Sequence, residues 1–93
     1  MKVLVLPKEL TQAHATACLR MLVQGLRSQP GPEVVVDASA LTRFDSAALA
    51  VLLEFRRESL ALGHRFSIRG LPPRLADLAA LYGIVELLAP TPA

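Results

Sequence analysis

The sequence predicts an α/β fold: a small, mainly parallel sheet flanked by helices, in the order β-α-β-α-β-α. Three observations carry this. Short β-rich apolar runs, KVLVL, EVVVDAS and HRFSIRG, are spread along the chain. Longer segments with helical periodicity stand between them. Proline and glycine fall at the junctions, most densely in QPGP (Gln29–Pro32), where they punctuate the pattern. At 93 residues the chain is expected to form one domain over 1–93, large enough for a modest core without staples.

KVLVL (Lys2–Leu6) is a short first strand ended by Pro7. Ala15, Cys18, Leu19, Leu22 and Leu26 then recur at helical spacing as the buried stripe of a first helix, with Thr11 placed to cap it. Gln12, His14, Arg20, Gln24 and Arg27 fall largely on its other side. EVVVDAS (Glu33–Ser39) reads as a buried strand, because three consecutive valines leave no polar face. LTRF is a short connection to a helix running from Asp45 or Ser46 to about Leu62 and closed by Gly63. Glu54, Arg57 and Glu58 give that helix charge pairing on its exposed part. HRFSIRG is a third strand, with Phe66 and Ile68 facing one way. Pro72 and Pro73 start a last helix, Leu75, Leu78 and Tyr82 mark its face, and Gly83 ends it. IVELL is a short terminal element before a proline-containing tail.

Composition removes several classes of function. The hydrophobic share is 53%, above the ~45–50% of average usage, so either the core is unusually aliphatic or apolar surface is kept for a partner. Aromatic residues make up 4% with no Trp, too few for a base-stacking surface. The net charge is +2 and the basic residues are scattered, which gives no nucleic-acid footprint. Cys18 is the single cysteine; it permits no internal disulfide, fits a reducing compartment, and reads as an inert thiol on an apolar helix face. No run approaches the ~20 apolar residues that span a bilayer. The N-terminal apolar run is too short for a signal sequence. The expected location is cytoplasmic.

The chemistry-bearing residues gather where strands end and helices begin. Asp37 closes the second strand, and Asp45 and Ser46 open the next helix, the edge at which α/β sheets place their functional loops. Asp and Ser are also ordinary caps, and Asp37 has an ordinary use in bonding the loop backbone. The helix beyond is less ordinary. Ala47–Leu53 is seven apolar residues in a row, so some of Ala47, Ala50 and Val51 must point away from the stripe of Ala48, Leu49, Leu52 and Leu53. That side is either covered by neighbouring elements or kept as a docking patch beside Ser46.

The stretches VVVDASALTRFDSAALAVLL and HRFSIRGLPPRLADLAALYGIVELL resemble a STAS domain, with the Asp37 strand end, the FDS helix start and the LYG helix end as the most diagnostic parts. The resemblance covers about Lys2 to Leu88 and implies a small sheet flanked by helices. Two branches matter. In anti-sigma-factor antagonists, the serine after a DS pair is phosphorylated by a partner kinase; here that position is Ala47, which has no hydroxyl. The MlaB-like subunits of phospholipid ABC transporters carry Ser or Thr directly after the Asp, then small residues and a Leu-rich helix. Ser46-Ala47-Ala48-Leu49-Ala50 is similar to that arrangement. This second resemblance implies an accessory subunit peripheral to the inner membrane, touching the membrane only through its complex and supporting the ATPase subunit. The partner contact is then assigned to Asp45, Ser46, Ala47, Ala50 and Val51, with Asp37 supporting the loop. The alternative is an antagonist-like regulator that binds an anti-sigma kinase, with Ser46 as a candidate phosphorylation position.

Catalysis has little to work with. His14 and His64 are the only imidazoles, and no signature links either to Ser46. Asp37 and Asp45 are two scattered acids, short of a metal site. The five glycines stand at turns and helix ends and make no phosphate loop, which disfavours a nucleotide-binding reading. The expectation is a binding module, without catalytic residues, metal or cofactor.

Overall fold

The computed structural model describes residues 2–28 and 31–88. Its elements are β1 (Lys2–Val5), β2 (Glu9–Leu10), α1 (Ala15–Ser28), β3 (Glu33–Asp37), β4 (Arg43–Phe44), α2 (Ser46–Ala61), β5 (Arg65–Arg69), α3 (Pro73–Leu81) and a 3₁₀ turn (Val85–Leu88). The longer elements follow the predicted β-α-β-α-β-α alternation. Of QPGP, Gln29 and Pro30 lie outside the described residues, as does the proline-containing tail.

The main sheet has the order β1-β3-β5, and both pairings are parallel. Val34, Val35 and Val36 of the central strand are buried as expected. Strand alternation divides them between two faces. Val34, Val36 and Ile68 form one core cluster with Cys18, Leu22 and Leu26 of α1, Leu49, Leu52 and Phe55 of α2, and Leu75 and Ala79 of α3. The three helices therefore share one face of the sheet. Phe55 and Phe66 meet edge to face there, with centroids 6.1 Å apart. On the opposite face Val35 lies between Val3 and Ser67 in the register. It is flanked there by the ion pairs Glu33–Arg65 at 2.9 Å and Asp37–Arg69 at 3.4 Å.

LTRF is more than a connection. Arg43 and Phe44 pair in parallel with Glu9 and Leu10, forming a second, two-stranded sheet. The Lys8 carbonyl accepts hydrogen bonds from the amides of Thr42 (2.8 Å) and Arg43 (3.0 Å). A two-residue strand is too short for side-chain alternation to announce it. Its consequence is positional: β2 runs into α1 and β4 runs into α2, so the two helices start side by side.

Three further expectations are corrected. The helical turns of α1 begin at Ala15, with Gln12–His14 as a preceding turn in which the His14 amide donates to the Thr11 carbonyl (2.9 Å). Thr11 does engage this turn, its hydroxyl lying 3.0 Å from His14 Nδ1. Tyr82 is 58% exposed, because the buried face of α3 runs through Leu75 and Ala79. At α2 the cap is Asp45, and Ser46 is the first helical residue. Gly63 follows α2 at φ +82°, the left-handed geometry expected of a glycine there.

Candidate functional site

Asp45 ties two elements together. Its backbone is extended at φ −133°, while its carbonyl accepts from the Ala48 amide (3.0 Å). Carboxylate Oδ1 accepts from the Ala47 amide at 2.8 Å, closing the start of α2 as an N-cap does. Oδ2 accepts from the Gln12 amide at 3.1 Å, reaching the turn ahead of α1. The two-stranded sheet brings these partners within range, since Leu10 is in register with Phe44. One carboxylate thus satisfies free amides at the starts of two neighbouring helices.

Ser46 is exposed, and its hydroxyl has no hydrogen-bond partner among the described residues. It stands in a shallow depression of about 380 Å³ lined by Gln12, Asp45, Ser46, Ala47 and Ala50. Ala50 also lines a groove of about 320 Å³ between α1 and α2, shared with Ala15, Thr16, Leu19, Val51 and Glu54. The two depressions are therefore contiguous along the helix seam, and the second is largely apolar. Ala47 is half-buried and Ala50 exposed. Val51, assigned to the partner contact as one of three residues of which some were expected to face outward, is 3% exposed and belongs to the core cluster; it can form no more than the floor of the groove. The sequence reading also missed the contribution of Gln12 in the turn before α1 and of Ala15, Thr16 and Leu19 in α1. The available signal was the small pair Ala15 and Thr16, which line the groove opposite the equally small Ala50 of α2.

Asp37 does separate work. Its Oδ1 accepts from the Ser39 hydroxyl (2.6 Å) and the Ser39 amide (3.0 Å), and Oδ2 lies 3.4 Å from Arg69. The Ser39 hydroxyl and then its amide hold the Asp37 carboxyl below the usual carboxylate range; burial pushes it up by less than either, and Arg69 adds a still smaller downward pull. These bonds tie Asp37 to its own loop and to the end of β5. Asp37 and Asp45 have no hydrogen-bond partner in common.

Both imidazoles are engaged elsewhere. His14 Nδ1 faces Thr11, and His64 Nδ1 contacts the Gly31 carbonyl. Cys18 is buried, and burial pushes its thiol up. Among the described residues no three His, Cys, Asp or Glu side chains gather into a metal site, and no helix is long and apolar enough to cross a membrane. A further apolar cavity of about 390 Å³ lies between Gly70, Leu71, Ala76, Ala79, Val85 and Leu88, at residues the sequence reading did not single out.

A small, mainly parallel sheet with three helices packed on it is consistent with the fold of a STAS-type module. The family profile described as "Mlab, STAS domain" matches residues 2–89, and the chain belongs to that family of MlaB-like STAS domains. A search of curated proteins gives no match. STAS domains are generally non-catalytic protein-interaction modules.

Proposed function

We propose that this protein is the cytoplasmic accessory subunit of an Mla-type phospholipid ABC transporter, binding the ATPase subunit and supporting its assembly and activity. The observation that carries the reading is the α1–α2 seam. An exposed, unbonded Ser46 stands at the head of a continuous surface of small and apolar residues, and the Asp45 strap holds that surface in shape before any partner arrives. Such preorganisation lowers the ordering cost of binding. The partner contact comprises Asp45, Ser46, Ala47 and Ala50 with Gln12 from the turn before α1, Ala15 and Leu19 from α1, and Val51 beneath them. The protein acts by binding alone and meets the inner membrane only through its complex.

The test is a pull-down from native cytoplasm and detergent-solubilised membranes with wild type and Ser46→Glu in parallel. A carboxylate at position 46 suits the positive end of the helix but is costly to desolvate in an interface. The expected result is an ABC ATPase retained by wild type and lost with the variant. Equal retention by both removes Ser46 from the interface. Capture of an anti-sigma kinase with stoichiometric phosphate on Ser46 moves the protein to the antagonist-like class, a reading favoured by one observation, the free and exposed hydroxyl.

A further inference from the structure

The two edges of the main sheet are unlike. The Leu6 amide donates to the Asp37 carbonyl at 2.9 Å, so Leu6, and by alternation Leu4, point their backbone groups inward to β3. Val3 and Val5 then point theirs outward. β1 pairs only with β3 among the described residues, and the Val3 and Val5 N–H and C=O groups form a free ladder along its outer edge. Nothing charged guards the edge at these positions. Val5 is 58% exposed, an unusual state for a valine on a strand. On the helix layer, α1 lies over β1 with Gly25 against Leu4. Met21, on the flank of α1 turned away from α2, is 49% exposed. Apolar side chains are thus exposed above and below the same free edge.

The β5 edge is built differently. An antiparallel copy of β5 centred on Ser67 sets Arg65 opposite Arg69 twice, and like charges directly opposed in a sheet repel. Face-to-face stacking of two sheets through the Val35 side is disfavoured on the same ground. A two-fold axis across the strands sets Glu33 on Asp37 and Arg65 on Arg69; one along them sets Glu33 on Glu33 and Asp37 on Asp37. Charge on β5 and on the back face is what natural sheets use against such association; in β1 the only charge is Lys2 at its first position, and Val3, Leu4 and Val5 carry none.

We propose that β1 is a self-association edge, pairing antiparallel with β1 of a second copy about a two-fold axis at Leu4. In that register Val3 of each copy faces Val5 of the other as a hydrogen-bonded pair. The two pairs exchange two bonds each, which satisfies all four outward groups on each strand. The two three-stranded sheets become one continuous sheet, the Val5 side chains are covered on one face, and the Met21 side chains approach the seam on the other. A second copy fits because the two-fold makes the free ladder its own complement. The strand is short, so the interface is small and the association weak. The seam at α2 lies away from this edge, and the proposal stands apart from the identity of any partner there.

Sedimentation equilibrium from about 10 µM to about 1 mM spans the range where weak association appears. The expected result is a mass that rises toward twice 10.0 kDa for wild type and for Tyr82→Lys, but stays monomeric for Val5→Lys with an unchanged circular dichroism spectrum. Should Val5→Lys perturb the fold, amide exchange on wild type decides: Val3 and Val5 amides become at least tenfold slower from the dilute to the concentrated sample. A wild type that is monomeric throughout overturns the proposal, whether the edge is empty or held by another chain. So does a dimer lost with Tyr82→Lys and kept with Val5→Lys, or Val3 and Val5 amides indifferent to concentration.

Discussion

Asp37 and Asp45 stand on either side of the connection between β3 and α2, each close to a serine, and the two serines have different fates. Ser39 gives both its hydroxyl and its amide to Asp37, and its Cβ sits so close to Gly70 that a Cβ there would lie 2.8 Å away. The turn is closed upon itself and upon the end of β5. Asp45 instead takes amides from Gln12 and Ala47, reaching across to another helix, and leaves Ser46 unbonded. A serine consumed by its own turn is structural; a serine held out by a strapped neighbour is available to something outside the chain. The same residue pair marks a closed region in one place and an open one in the other.

The comparison breaks most sharply at Gly70. It holds φ +70°, and an added Cβ would meet the Ser39 Cβ at 2.8 Å and the Ser39 amide nitrogen at 3.0 Å. Gly70→Ala is expected to cost roughly 2–3 kcal/mol, from left-handed strain and crowding together, read as a lowered urea midpoint. The partner surface at the α2 start should be spared, because its strap is independent of this turn.

Asp45→Ala is the converse. It removes the α2 cap and the bond to Gln12, for about 1–2 kcal/mol, and the Gln12 and Ala47 amides should exchange faster with solvent. Partner affinity should fall further than stability does, since the seam between α1 and α2 loses its clasp. If binding survives intact while both amides exchange faster, the strap is structural only.

A smaller effect, confined to acid, separates Asp37. Its carboxyl titrates lower in the folded chain than the ordinary ~3.9 of the unfolded one. Its contribution to stability is therefore present above that ordinary value and lost as pH falls through the folded value. Melting temperature followed from about pH 7 to about pH 2 should show wild type and Asp37→Asn separated by a constant gap near neutrality that narrows in acid. Curves that stay parallel throughout would remove the Ser39 and Arg69 contacts as its source.

How far the sequence reveals this contrast depends on the scale of each feature. The alternation of elements was legible because α1, α2 and the valine strand are long enough to show a period. The aspartates were legible as turn and cap chemistry. The pairing of β2 with β4 was not, since two residues carry no period, and without that pairing nothing in the sequence says that Asp45 reaches Gln12. Val51 shows a limit of a different kind. In the unbroken run Ala47–Leu53 the sequence offers no polar residue to set the phase of the helix, and packing against α1 decided that Val51 turns inward while Ala50 stays out.

Ser46 sharpens the comparison with the smallest effect on the fold. With Asp45 as the cap and no hydrogen bond of its own, the Ser46 hydroxyl contributes little, and Ser46→Ala should change stability by less than about 0.5 kcal/mol. Ser46→Glu should raise it slightly, by about 0.3–1 kcal/mol at low ionic strength, through attraction to the positive end of α2. The same substitution is expected to abolish partner capture. Stability and binding therefore move in opposite directions at one position, which a merely structural serine cannot do: replacement of Ser39, whose hydroxyl is bonded, should lower stability. Melting curves at low salt, recorded beside the binding assay on the same preparations, check both signs at once. A Ser46→Glu protein that is destabilised as well as non-binding would show that the loss of binding comes from damage to the fold.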